Sequence, residues 1–178
     1  MTLFRGELVR HPASPDSPVD RIAVTIERRG AEAVITYELA GEIDEVVFPD
    51  IIPSERRDGL WTTTCFELFV RYPGDDGYQE WNFAPSTAWA AYLFDGYRTG
   101  MHNADVSAPV ISRDMRDERY RLTVEASVDV APCRIGLSAV IRHADGGTSY
   151  WALAHPPGKP DFHHADCFAA ELAPSKEP

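Results

Sequence analysis

Residues 119–128 alternate without a break. Tyr120, Leu122, Val124, Ala126 and Val128 are separated by Arg119, Arg121, Thr123, Glu125 and Ser127. Successive side chains of a strand point to opposite faces, so this run predicts a half-buried β-strand with one face on a core. The same period recurs in Ile22-Val24-Ile26, in Phe66-Leu68-Val70 and in Ile135-Leu137-Ala139-Ile141, and residues 34–39 add a stretch of high β-propensity. Between these runs stand Pro73-Gly74-Asp75-Asp76-Gly77, residues 114–118 and Ala144-Asp145-Gly146-Gly147. They read as hairpin connections, because Asp and Gly supply the positive φ that such turns demand. No window shows the helical period with caps at both ends. The pattern therefore predicts an all-β fold, an antiparallel β-sandwich of jelly-roll or immunoglobulin-like architecture. Residues 11–18 read as a loop joining a first edge strand to the body. Two long irregular stretches, 98–109 and 154–166, are where function is expected.

A chain of 178 residues suits one domain, here 1–178 with a core over about 21–172. Its 17 Lys plus Arg stand against 28 Asp plus Glu, a formal net charge of −11. That balance argues against nucleic acid, which needs clustered Lys and Arg, and equally against anionic membranes. No stretch approaches the ~20 apolar residues of a membrane span, and charge appears too early for a leader. Cys65, Cys133 and Cys167 cannot all pair within one chain, and their spacing fits no zinc template. Reduced thiols in a cytoplasmic protein are the expectation. Residues 173–178 read as a frayed end.

The aromatic residues and their neighbours supply the functional lead. With Phe66, Leu68 and Val70 facing the core, Cys65, Glu67 and Phe69 face the other way. In the next strand Trp81 and Phe83 point inward, so Tyr78, Glu80 and Asn82 emerge opposite. The turn at 73–77 makes the two strands neighbours, and one sheet face then presents Glu67, Glu80 and Asn82 beside aromatic rings. That combination suits a polyhydroxylated ligand, whose C–H face stacks on indole while carboxylates and amides bond its hydroxyls. Arg98 adds a forked donor.

Trp61, five intervening residues and Glu67-Leu68-Phe69-Val70 resemble the signature of DOMON-like domains and the related family-nine carbohydrate-binding modules. Residues 78–101, Ser149-Tyr150-Trp151-Ala152-Leu153-Ala154-His155-Pro156 and Asp161-Phe162-His163 resemble a bacterial group of stand-alone DOMON-like proteins. The resemblance covers residues 21–172. It implies a sugar held between two tryptophans, with a glutamate six residues after the first binding hydroxyls. Trp61 and Glu67 match that first pair. Trp151 is the candidate second tryptophan by position, and Asn82 and Arg98 are the candidate polar partners. Thr62-Thr63-Thr64-Cys65 stands where the family often carries acidic residues.

Other readings stay open at this level. DOMON relatives include haem binders with Met and His axial ligands, and this chain has Met101-His102 in one long loop and His155, His163 and His164 in the other. A divalent metal could draw on His155, Asp161 and His163, with His164 and Asp166 nearby. The alternative for that loop is a structural lock, with Phe162 plugging the core and Asp161 and His163 bonding backbone. Glu67 and Glu80 together invite the two-carboxylate logic of glycoside hydrolysis, and Cys65 beside a histidine would be a nucleophile. No catalytic motif accompanies either arrangement, and the primary expectation is a domain that binds a sugar-like ligand without catalysis and without a cofactor. A protein-interaction module is the remaining class, and the edge strands of an open sandwich make a homodimer one expected assembly.

Overall fold

The computed structural model describes residues 1–129 and 132–172, so the expectation for the C-terminal end at 173–178 lies outside the described residues. Twelve strands run in chain order: β1 (Thr2–Arg10), β2 (Val19–Arg29), β3 (Glu32–Gly41), β4 (Cys65–Arg71), β5 (Tyr78–Phe83), β6 (Trp89–Phe94), β7 (His102–Asn103), β8 (Val110–Arg116), β9 (Arg119–Ala126), β10 (Cys133–Arg142), β11 (Thr148–Ala152) and β12 (Ala170–Leu172). Among the described residues the only helices are three single 3₁₀ turns, none long enough to cross a membrane. The all-β antiparallel expectation holds. Eleven strands form one curled antiparallel sheet in the order β7-β6-β5-β4-β10-β11-β1-β2-β3-β9-β8, and β12 pairs with the start of β10.

The curl is made at β1, which corrects the expectation of a first edge strand. Residues 4–8 pair with β2, whereas Val9 and Arg10 pair with β11. One strand thus belongs to both halves of the sheet, and the halves close on each other like the two layers of a sandwich. Edge or centre is decided by which distant strand comes alongside, and local alternation carries no information on that. A smaller correction falls at the hairpin of 114–118. Strand β8 runs on to Arg116, and the turn is only Asp117-Glu118, with Asp117 at φ 50°.

The main core lies between the halves. Ile22, Val24, Ile35, Tyr37, Tyr120 and Leu122 meet Phe66, Leu68, Trp81, Phe83, Leu137 and Ile141. Phe66 stacks on Tyr120 at 6.4 Å between ring centroids and packs against Tyr37 at 5.0 Å. The Tyr37 hydroxyl crosses the core and donates to the backbone carbonyl of Glu67 at 2.7 Å, in full burial. Tyr37→Phe keeps the ring and removes this one tie. It is expected to cost about 1 kcal/mol in chemical denaturation, with no loss of cooperativity.

Strands β4, β5 and β6 are buried on both faces, not on one. Their outer face carries a second apolar cluster: Cys65, Phe69, Tyr78, Ala90, Tyr92 and Phe94, sealed by Leu60 and Phe168 from the covering segments. This is why Cys65-Phe66-Glu67-Leu68-Phe69-Val70 and Trp89-Ala90-Ala91-Tyr92-Leu93-Phe94 read as near-continuous apolar runs. The consequence is functional. Polar side chains on the outer face of these strands lie under a layer of loops instead of in open water.

Candidate functional site

The register across the outer face sets Ser138 (β10) opposite Glu67 (β4), Glu67 opposite Asn82 (β5), and Glu80 opposite Phe69 on one side and Tyr92 on the other. Glu67 and Glu80 are therefore diagonal neighbours, as the shared parity predicts. Both are buried, at 3% and 4% exposure. Each carboxyl is fixed by one neutral donor. The Ser138 hydroxyl donates to Glu67 Oε2 at 2.7 Å, and the Asn82 amide donates to Glu80 Oε1 at 2.7 Å. Burial, and then the neighbouring Glu80, push the Glu67 carboxyl up to about 8; burial also raises Glu80, against the opposing pull of Asn82 and Arg98. Burial thus favours a proton shared by this pair, so that the floor can donate as well as accept.

Above this floor two loops are laced together. Asp161 accepts from the Tyr97 hydroxyl at 2.5 Å, from Arg98 Nη2 at 2.8 Å and from the His163 backbone N–H at 3.2 Å. Burial alone would raise the Asp161 carboxyl; the bonds from Tyr97 and Arg98 outweigh it and hold it low. The Arg98 backbone N–H donates to the Tyr78 hydroxyl at 3.2 Å, and that hydroxyl lies 2.6 Å from His163 Nδ1. With Tyr78 accepting from Arg98 and donating to Nδ1, the remaining His163 proton sits on Nε2, which faces Glu80 Oε2 at 3.6 Å. Burial, then the Arg98 charge, lower His163 to about 4, so the ring is neutral at pH 7.

Floor and loops enclose a cavity of about 550 Å³, within the roughly 300–1,000 Å³ usual for small-molecule sites. Glu67 and Glu80 are at its base. Tyr92, Phe94, Val140, Tyr150 and Phe162 form apolar walls, and Trp61, Arg98, Met101, Lys159, Pro160 and His163 complete the lining. Tyr92 is held in place by its hydroxyl, which donates to Asp58 at 2.7 Å. Trp61 lies on the 3₁₀ turn Leu60–Thr62, which opens at Gly59 in the left-handed region (φ 74°), a conformation glycine adopts without strain. Leu60 plugs the second apolar cluster, so the next side chain, Trp61, turns outward and stays 44% exposed.

Four of the six residues expected at a ligand site meet here: Trp61, Glu67, Glu80 and Arg98. The other two do not line the cavity. Asn82 is buried beneath it and serves by holding Glu80. Trp151 is 5% exposed in the main core, with its indole N–H donating to Ser149 at 3.0 Å. A ring so placed cannot stack on a ligand in this cavity. Its neighbour Tyr150, one residue away and hence on the opposite face, is the residue that lines it. Tyr92 and Phe94 were legible only as apolar residues of both parities in one strand, and Phe162 and His163 lay within the motif of the last third.

The alternatives can be placed as well. Among the described residues no three His, Cys, Asp or Glu side chains gather as a metal set. His155 lies off the cavity, bonded through Nε2 to the Val9 carbonyl at 2.7 Å and edge-on to His11. Both Asp161 oxygens are taken, so the set His155, Asp161 and His163 does not form. The lock expectation is met only in part: Asp161 accepts from one backbone N–H, but its other partners are the side chains of Tyr97 and Arg98, the His163 ring bonds the Tyr78 hydroxyl instead of backbone, and the half-buried Phe162 packs on the second apolar cluster and lines the cavity. Met101 and His163 do line the cavity, but Tyr78 occupies one ring nitrogen and Glu80 faces the other. These residues do not fit an axial pair for haem, and His102 is exposed, its Nδ1 2.8 Å from the Gly100 carbonyl. Cys65 is fully buried, with its thiol pushed up by burial and by Glu67 and Glu80, and is no activated nucleophile.

No protein-family model and no curated protein matches this sequence. The fold does match solved structures. A crystal structure described as that of a "putative carbohydrate-binding protein" from Bacteroides uniformis superposes with a TM-score of 0.65 at 14% identity, over 93% of this chain and 84% of the other. The chain is thus similar in fold, and distant in sequence, to that bacterial protein.

Proposed function

We propose that this chain is a carbohydrate-binding domain that performs no chemistry on its ligand. One observation carries the reading: an exposed tryptophan stands at the same cavity as two buried carboxyls on the sheet floor. An indole face suits the C–H face of a sugar ring. A carboxyl that donates and another that accepts suit its hydroxyls, and Arg98 adds a donor at the loop side. The fold-level similarity to the Bacteroides protein, and the resemblance of Trp61-to-Glu67 to family-nine modules, both support it.

A thermal-shift screen against neutral mono- and disaccharides tests the proposal. A ligand at 100 times its dissociation constant adds about 2.7 kcal/mol, which for this chain length is roughly 5–10 °C. A selective shift by one sugar class is the expected result. A flat screen at concentrations well above millimolar would overturn the proposal.

A further inference from the structure

We infer that the sugar taken by this cavity carries a free ammonium group, seated between Glu67 and Glu80 while the ring lies against Trp61. The inference rests on the carbohydrate reading and narrows its ligand class to amino sugars. It starts from two side chains more than nine-tenths buried at the base of one cavity. Each carboxyl has one oxygen bonded, to Ser138 or to Asn82, and one oxygen left over. Among the described residues no hydrogen bond reaches Glu67 Oε1 or Glu80 Oε2, the latter facing His163 Nε2 at 3.6 Å.

No cation of the protein's own is bonded to this pair; the charge of Arg98 lowers both carboxyls without outweighing their burial. The Arg98 guanidinium is bonded to Asp161, at 2.8 Å. His163 is neutral, Cys65 and Tyr78 are uncharged, and Lys159 lines the cavity without an ion pair to either glutamate. Two buried carboxyls with no cation bonded to them favour keeping a proton between them. A neutral sugar leaves that situation unchanged. An ammonium replaces the proton and offers three donors to the two free oxygens, in a cavity whose walls also carry Trp61, Tyr92, Phe94 and Phe162. The net charge of −11 also favours the approach of a cation.

The test is isothermal titration of the intact chain at pH 6.5, where the amine is an ammonium, with D-glucosamine, D-galactosamine, D-glucose and N-acetyl-D-glucosamine, in phosphate and in PIPES. The expected result is tenfold or tighter binding of an amino sugar over its neutral and acetylated counterparts. A buffer-dependent enthalpy should report proton release. Glu67→Gln, which keeps the shape and the Ser138 bond, should lose the preference for the amino sugar over glucose. Equal affinity for glucose and glucosamine with no proton released would overturn the ammonium assignment and leave the carbohydrate reading standing. Binding of neither kind would overturn both.

Discussion

Glu67→Gln is expected to make the protein more stable at pH 9, by several kcal/mol, while leaving it within about 1 kcal/mol of the parent at pH 5. The reason is the position of the carboxyl. In the folded chain it titrates at about 8, because burial and Glu80 oppose its charge; in the unfolded chain it titrates near the ordinary ~4.3 of glutamate. Between those values the folded state holds a proton that the unfolded state has released. Unfolding free energy then falls as pH rises, by up to about 1.4 kcal/mol per pH unit. The contribution is complete below about 4.3, is lost progressively, and is gone once the pH passes about 8. Glutamine carries no such slope and still accepts from Ser138, whose hydroxyl lies 2.7 Å from the carboxyl. Glu80 keeps a slope of its own in the variant, so the profile flattens without becoming level. Guanidinium denaturation at unit steps from pH 5 to 9 measures the difference. Superimposable profiles would mean that Glu67 is ionised in the folded state, and the account of a protonated floor would fail.

The floor of the site was legible in the sequence for a simple reason. Parity is a local property, so once Phe66, Leu68 and Val70 face the core, Glu67 must face away, and the short turn at 73–77 brings Glu80 and Asn82 alongside. What parity cannot supply is the layer above. Nothing in the alternation says that residues 60, 162 and 168 fold back over β4 to β6, turning a solvated face into a buried one. For that reason the expectation of half-buried strands was too weak here, and Asn82 was assigned to a ligand when its amide is consumed by Glu80. Trp151 failed for a different reason. Its face depends on the pairing of β11 with β10, which sets Trp151 opposite the inward Ala139 and Tyr150 opposite Val140. A one-residue difference in that register exchanges the two rings, and register between strands is a non-local fact.

The two tryptophans therefore separate stability from binding. Trp61→Ala should weaken sugar binding severely and leave the fold intact. The ring is 44% exposed, and the turn that carries it is anchored by Leu60, not by Trp61 itself. Its loss should change the denaturation midpoint by less than about 1 kcal/mol, as for other exposed positions. An aromatic anchor of a binding site typically accounts for about 2–4 kcal/mol, so affinity should drop roughly 30- to 1,000-fold. Trp151→Ala should do the reverse. The indole is packed in the main core and its N–H is bonded to Ser149, so truncation should cost about 3–5 kcal/mol of stability. Paired measurement of unfolding and of titration with the best sugar from the screen distinguishes the roles. Normal binding by folded Trp61→Ala would remove the stacking residue from the proposed site, and unfolding of that variant would make Trp61 a packing residue. A Trp151→Ala protein of unchanged stability that no longer bound sugar would instead restore that ring to the ligand, against its place in the core.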